Sequence, residues 1–571
     1  MKLDINKLRQ EIIGNNTFFM SPYGKRLITY ADYTASGRTL RFIENYLLSI
    51  QEVYGNTHTS DSYTGEIMTN LVKRAESIIK KLINANDNNY IIPVGTGSTA
   101  AIKKLCEILG LYITPGLKHQ LKLEQTSSCC DSRYNEIIIE TLCKDLYYNR
   151  PIVFVSGYEH HSNYLIWKES LAEVVEIAVT DDGDFDYSDL ENKLNDPKYK
   201  NKIKIGSFSA CSNVTGVKTD VYRVAKLMHK YGGLVFFDFA ASAPYVEINM
   251  NKDAESYLDA IFISPHKFIG GPGSCGLLVI NKNLYSPFYP PTVAGGGTVS
   301  FVSPYCYKFV DDVEARENAG TPGILQILKA SLAFEFKDHF GINNILTIED
   351  KYLNKALASL SEEPNIIIYG PKDHKKRISI ISFNIKHQEK LLHHKFVSRL
   401  LNDLFGIQSR AGCACAGPYA HRLLKIDQET SNLIESRVNV IGALRPGFVR
   451  ISFHYLMSDE DVNYIIEAIK FIARYGYLLL SQYKINLHTG VWRHNYLYSY
   501  NNQVDSFGIL SALDITPIPN TTIKRNNEYN KYLQEAYQLA EKLRNNFIPH
   551  YQQFPNLTDE KLRWFNFQLF E

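Results

Sequence analysis

Ile203-Lys204-Ile205-Gly206-Ser207-Phe208-Ser209, followed by Val221–Tyr231 and then by Leu234-Val235-Phe236-Phe237-Asp238, is the stretch that decides the fold. A short apolar run, an amphipathic run long enough for a helix and a second short apolar run form one strand–helix–strand unit. The same pattern recurs outward in both directions. Tyr90–Val94, Ile152–Ser156 and Val174–Val179 read as strands before it, and Ala260–Ser264 and Gly276–Ile280 after it. Helices are expected between them at Thr99–Leu109 and Asn163–Ser170. Near-continuous apolar strands alternating with helices predict an α/β fold, with a mostly parallel seven-stranded sheet covered on both faces. Ligands of such sheets collect at the carboxyl ends of the strands.

Beyond about residue 325 the pattern changes. A long helix is expected at Leu325–His339. A second α/β region follows, with elements at Ile378–Asn384, Leu391–Phe405, Ile407–Arg410, Val449–Phe453 and Glu460–Arg474. The expected organisation is an N-terminal segment, 1–60, packing with the small domain, and a large domain, 61–325, with an insertion at 111–150. A small α/β domain, 326–475, follows, and then a C-terminal extension, 476–571, of unknown role with one good helix at Tyr529–Asn546. No internal repeat is evident.

The chain has 571 residues, 45% hydrophobic and 21% charged, the composition of a soluble globular protein of two or three domains. A net charge of +2 excludes a whole-protein field for nucleic acid or acidic lipid. The basic run Lys372–Arg377 is expected to be a solvated turn. No segment approaches the ~20 apolar residues of a membrane span, and Met1–Asn16 does not resemble a signal peptide. Nine cysteines in a chain this long do not form a secreted disulfide framework. A cytoplasmic location with mostly reduced thiols is expected, with neither nucleic acid nor membrane as partner.

The unusual polar residues follow the strand ends. Gly95-Thr96-Gly97-Ser98-Thr99 opens a helix, where free N–H groups and the helix dipole favour a phosphate. Glu159-His160-His161-Ser162-Asn163 offers an imidazole that could stack on an aromatic cofactor and move protons, or simply cap a helix. Asn213 follows the strand Ile203–Ser209. Asp238, at a strand end, could be a metal ligand, a cap or a charge partner; opposite a pyridine nitrogen it would keep that nitrogen protonated. In Ser264-Pro265-His266-Lys267 the lysine lies beside a strand end and a glycine-rich loop, where a neutral amine could form a Schiff base with a carbonyl. Alone it would be an ordinary lysine; the ordered set around it gives it weight. Arg410-Ala411-Gly412-Cys413-Ala414-Cys415 places two thiols near an arginine and a helix start. No second Cys/His pair with zinc spacing is evident, so no metal is expected. Arg450, on an apolar strand, needs an anionic partner, either a substrate carboxylate or an internal acid.

In this combination and order the motifs resemble the class V aminotransferase family of enzymes dependent on pyridoxal 5′-phosphate (PLP), in particular its cysteine desulfurase and selenocysteine lyase branch. The resemblance covers roughly residues 25–475 and implies the fold type I architecture of PLP-dependent transferases. It implies that Gly97, Ser98, Thr99, Ser264 and His266 surround the cofactor phosphate and that His160 stacks on the ring. Asn213 would lie near the ring hydroxyl, Asp238 would pair with the ring nitrogen and Lys267 would carry the cofactor. Thr321 would reach the phosphate of a neighbouring subunit, which implies a homodimer. Arg450, with Asn56 and Arg410, would bind the substrate, and Cys415 falls at the position of the sulfur-accepting nucleophile. Two positions depart from the pattern. Ala241 stands where the family usually has glutamine, and Cys413 where desulfurases often have histidine.

The implied function is a cysteine desulfurase that takes sulfur from L-cysteine as a persulfide on Cys415 and releases alanine. Lys267, Cys415 and His160 would be the catalytic residues, and a protein sulfur acceptor would be a further partner. Selenocysteine lyase, a molybdenum-cofactor sulfurase-like activity or another PLP reaction of the family uses the same lysine and aspartate. A non-catalytic PLP-fold protein that binds a partner is the alternative from a different class.

Overall fold

The computed structural model describes residues 4–59, 61–120, 150–496, 508–509, 523–545 and 551–567. Most of the expected insertion at 111–150, with Cys129 and Cys130, lies outside the described residues, as do parts of the tail. The chain divides into two compact units. The larger comprises Ser36–Ser212 and Val217–Leu346, the smaller Met1–Ala35, Asn213–Gly216 and Thr347–Glu571.

The larger unit is built on a seven-stranded sheet. Its strands run, in spatial order, Asn89–Val94, Gly276–Asn281, Ala260–Ile263, Leu234–Asp238, Lys204–Ser209, Ile152–Ser156 and Glu173–Ile177. Only Gly276–Asn281 runs antiparallel to its neighbours; the other four pairings are parallel. Ile152–Ser156 and Ala260–Ile263 are buried at every position, which is why they read as near-continuous apolar runs rather than alternating ones; Lys204–Ser209 is buried throughout as well, with Lys204, Ser207 and Ser209 among its residues. Trp167, from the helix His161–Lys168, and Ile102 and Leu105, from Ser98–Ile108, belong to the core packed on this sheet.

The helix Ile324–Phe340, expected to open the small domain, belongs to the larger unit. Its low amphipathicity explains this: eleven of its residues are buried, Lys329 and Lys337 among them, so it needs neighbours on most sides. Phe334 packs on Phe268 at 4.6 Å between ring centres, and Lys337 Nζ donates to Ala243 O at 2.6 Å.

The smaller unit holds a sheet ordered Arg410–Gly412, Phe448–Ser452, Ile380–His387, Lys390–Leu392, Phe565–Asn566, with Ile366–Ile368 also pairing Ile380–His387. Leu391-Leu392, expected as the start of a helix, lies in a strand; the helix begins at His394, after His393 caps it by accepting from Lys395 N. Thr29–Tyr30 pairs in parallel with Ile407–Gln408. The extension is part of this unit rather than an appendage. Phe565–Asn566 adds a parallel strand. Tyr529, on the helix Arg525–Arg544, stacks on Tyr464 at 3.8 Å, and its hydroxyl donates to Asp461 at 2.6 Å. Arg437 grips Asp559 with two bonds of 2.6 Å. Within the basic run, Arg377 is buried and donates to Pro371 O and Ile380 O, so the run is only partly a solvated turn. No described helix is long and apolar enough to cross a membrane.

Candidate active site

In the larger unit Lys267 ends a one-turn 3-10 helix, Pro265–Lys267, directly after the strand Ala260–Ile263. Proline suits the first position, where the missing N–H would have had no partner. The segment around Ser36–Arg38 grips this turn. Gly37 N donates to His266 O at 2.9 Å, Gly270 N to Arg38 O at 2.7 Å and Ser36 Oγ to His266 O at 3.1 Å. A Cβ on Gly37 would lie 1.9 Å from Phe268 O, so no other residue fits there unchanged. Sequence reasoning missed this grip, because nothing local links residue 37 to residue 266.

The glycine turn comes to the same place. Gly95 has φ +41° and leads into the helix Ser98–Ile108. Ser98 N donates to Ser264 Oγ at 2.8 Å. A Cβ on Gly97 would approach Ser264 Oγ at 3.0 Å and His266 Nε2 at 3.5 Å, so Gly97, Ser98, Ser264 and His266 share one small space. Burial and the neighbouring Lys267 push the His266 imidazole down to about 4, which keeps it neutral near pH 7. Asp238 ends its strand almost fully buried and accepts from Ala240 N at 2.9 Å. Burial pushes its carboxyl up, against the Ala240 N–H, the Lys267 ammonium and Ser98. A buried acid of this kind favours a cation beside it. Ala241 is buried.

His160 does cap a helix. Its Nδ1 accepts from Ser162 N at 3.2 Å and lies 3.1 Å from Ser162 Oγ. Accepting at Nδ1 assigns the proton of the neutral ring to Nε2. Ser162 Oγ is 2.7 Å from Thr99 Oγ1, so a hydroxyl pair joins the glycine turn to the imidazole. Glu159, which sequence reasoning also passed over, anchors this loop. Its two oxygens accept from Ser156 N and Oγ, Ser209 N and Oγ, and Asn163 Nδ2, at 2.5 to 3.2 Å. The serines end two adjacent strands, and this could have been a signal. Asn56 Nδ2 donates to Thr321 Oγ1 at 3.1 Å, both residues being exposed.

The remaining candidates lie in the smaller unit. Arg450 is buried on Phe448–Ser452. Its Nη1 donates to Asn213 O at 2.9 Å and its Nη2 to Asp32 Oδ1 at 3.0 Å, while Nε is buried without a hydrogen-bond partner among the described residues. Burial pushes the guanidinium down, opposed by Asp32. Arg410 Nε donates to Asp32 Oδ2 at 3.0 Å. Arg450 is thus in an internal ion pair, one of the two expected partnerships. Asn213, expected beside a ring hydroxyl, uses Nδ2 to donate to Ala414 O at 2.7 Å. Ala416 N closes a tight turn onto Cys413 O, and within it Ala414 and Cys415 have φ +52° and +56°. Non-glycine residues rarely adopt this conformation, and two in succession store strain. Cys415 is exposed and Cys413 half-buried.

A mostly parallel sheet with a lysine, a buried acid and a glycine turn at its strand ends defines a member of a large enzyme superfamily, and the chain belongs to the class-V aminotransferase family, whose model matches residues 126–465. Its fold is the fold type I architecture of PLP-dependent transferases. A probable cysteine desulfurase of Pyrococcus abyssi is 30% identical over 315 residues, which cover 54% of this chain and 69% of that protein. A probable cysteine desulfurase of Staphylococcus epidermidis is 27% identical over 454 residues, 78% of this chain and 92% of that protein. Among solved structures, a cysteine desulfurase of Thermococcus onnurineus superposes with a TM-score of 0.64 at 22% identity, covering 82% of this chain and 98% of that one.

Proposed function

We propose that the protein is a PLP-dependent cysteine desulfurase. The observation that carries this is Cys415, an exposed thiol on a strained turn in a chain whose curated relatives are named cysteine desulfurases. The large-unit site fits the cofactor. Gly97, Ser98, Thr99, Ser264 and His266 would hold a phosphate; a Cβ on Gly97 would crowd Ser264 Oγ at 3.0 Å, so the glycine keeps this space clear. Asp238 would face the protonated ring nitrogen, His160 would stack on the ring, Asn213 would lie near its hydroxyl and Lys267 would hold its aldehyde carbon. When bound, PLP supplies an electron sink for charge developing at the substrate α-carbon.

The chain's own groups carry the other steps. Arg450 binds the α-carboxylate of L-cysteine, with Asn56 and Arg410 contributing to the substrate site. The Lys267 amine removes the α-proton, and His160 Nε2 exchanges the proton of the substrate thiol. The Cys415 thiolate attacks the substrate sulfur. An S–S bond forms, the Cβ–S bond breaks with its electron pair left on carbon, and protonation there yields alanine. Overall, L-cysteine and the Cys415 thiol become L-alanine and a persulfide. That persulfide would pass its outer sulfur to a protein acceptor. Homodimerisation, with Thr321 reaching a neighbouring site, and a cytoplasmic setting that keeps thiols reduced complete the proposal.

The test is mass spectrometry of protein loaded with PLP and given L-cysteine. The expected adduct is one sulfur atom on Cys415, absent in Cys415→Ser, which keeps the visible absorbance of the cofactor. Alanine release that survives Cys415→Ser would remove Cys415 as nucleophile. Faster turnover of selenocysteine with no persulfide would favour the lyase.

A further inference from the structure

Arg410 and Arg450 stand directly opposite each other in the antiparallel pair formed by Arg410–Gly412 and Phe448–Ser452. Like charges facing across a strand pair repel. Arg450 is only 3% exposed, so its charge is costly unless compensated. Asp32 resolves both problems with one carboxylate: Oδ1 accepts from Arg450 Nη2 and Oδ2 from Arg410 Nε, each at 3.0 Å.

Asp32 is itself held by the two strand regions that carry the arginines. Ala31 N donates to Gln408 O at 3.0 Å, and Ser452 N donates to Ala31 O at 2.8 Å. Thr34 N donates to Ser452 Oγ at 3.2 Å, and Tyr30 OH to Asp32 O at 3.2 Å. The carboxylate is fixed by its backbone on both sides.

Two guanidinium groups and one carboxylate leave a net charge of one positive unit, so the cluster is not neutralised from within. Arg450 Nε and Asn213 Oδ1 are both buried without hydrogen-bond partners among the described residues. The chain of contacts continues from Arg450 through Asn213 to Ala414, in the turn of Cys415.

We propose that Asp32 is the positioning residue of the carboxylate site: it separates the two arginines and fixes Arg450, leaving one unit of positive charge for the α-carboxylate of an amino acid. This rests on the assignment of Arg450 to the substrate carboxylate. Asp32 does not touch the reacting atoms; it acts through Arg450.

The test uses the full-length protein loaded with PLP and two unreactive ligands, L-alanine and ethylamine, which is alanine without its carboxylate. Binding is read from the cofactor's visible absorbance and by calorimetry, alongside melting temperature. In Asp32→Asn, L-alanine is expected to bind about ten-fold more weakly or worse, the scale of a charge-assisted hydrogen bond. Ethylamine should change by no more than about two-fold, because it makes no such bond. Asp32→Glu keeps the charge but shifts its reach, and should recover part of the preference for L-alanine. It also serves as the test variant if Asp32→Asn does not fold, with L-alanine weakened and ethylamine unchanged. Equal weakening of both ligands, no change, or tighter L-alanine binding would overturn the proposal. Wild-type protein without a preference for L-alanine over ethylamine would instead overturn the assignment of Arg450. Neither outcome depends on desulfuration.

Discussion

The lysine pocket of the larger unit and the arginine cluster of the smaller one are built differently. Around Lys267 the groups come from the ends of neighbouring strands, and backbone N–H donors fix them: Gly37 N to His266 O, Ser98 N to Ser264 Oγ, Ala240 N to Asp238 Oδ1. Around Arg450 charged and amide side chains make the bonds: Asp32 accepts from Arg450 and Arg410, Arg450 donates to the Asn213 carbonyl and Asn213 Nδ2 to the Ala414 carbonyl, and two consecutive non-glycine residues sit at positive φ. A rigid frame suits groups that hold a cofactor in one pose. A side-chain cluster beside a strained turn suits groups that capture a small substrate and present a thiol.

Lys267→Ala should break this contrast most severely. Turnover is expected to fall roughly 10³-fold or more, the scale of losing a general base. The visible absorbance with added PLP should disappear while the melting temperature holds, since the side chain is only half-buried. Turnover retained in this variant would take the cofactor chemistry away from the larger unit. Gly37→Ala tests the backbone grip itself. Its Cβ would overlap Phe268 O, so the Lys267 turn must move or the fold must yield. A loss of about 1–3 kcal/mol in denaturant unfolding is expected, together with weaker retention of PLP in dialysis. An unchanged variant would show that the grip is looser than its geometry.

The contrast also explains what the sequence disclosed. The seven strands of the large sheet were legible to within one or two residues, because each is a short apolar run with a turn signal behind it. Ser98, Asp238 and Lys267 stood out because strand ends collect ligands. Asp32 did not, because its partners at 410 and 450 are joined to it only by folding. Glu159 was read past in favour of its neighbour His160; its partners Ser156 and Ser209 end separate strands. The helix at Ile324–Phe340 was legible as a helix but not as a member of the larger unit, since a helix with apolar residues on every side names no side on which to pack. The tail gave one helix and no hint of the strand Phe565–Asn566, which is too short to show a period.

Two buried glutamates sharpen the comparison at the smallest expected effect. Burial pushes Glu159, in the larger unit, up to about 7, against hydrogen bonds from Ser156, Ser209 and Asn163. Burial pushes Glu349, in the smaller unit, up to about 8, and no described cation pairs with it. In both, the folded chain keeps a proton that the unfolded chain releases above the ordinary value of 4.5. The stability each contributes is therefore full below 4.5, falls as pH rises to the folded value, and levels off beyond it. Glutamine mimics the protonated acid at Glu349, so Glu349→Gln should match wild type near pH 5 and melt above it near pH 9, by the equivalent of up to a few kcal/mol. Glu159→Gln removes an acceptor from a ring of donors and should melt below wild type near pH 5 by the equivalent of roughly 1–3 kcal/mol, a deficit that shrinks as pH rises past the folded value because the variant carries no titrating proton. Thermal melts of both variants across that range read the difference directly. If Glu159→Gln instead matches wild type near pH 5, as Glu349→Gln should, the acid that anchors the His160 loop is held by burial alone, and its hydrogen bonds do not fix the loop.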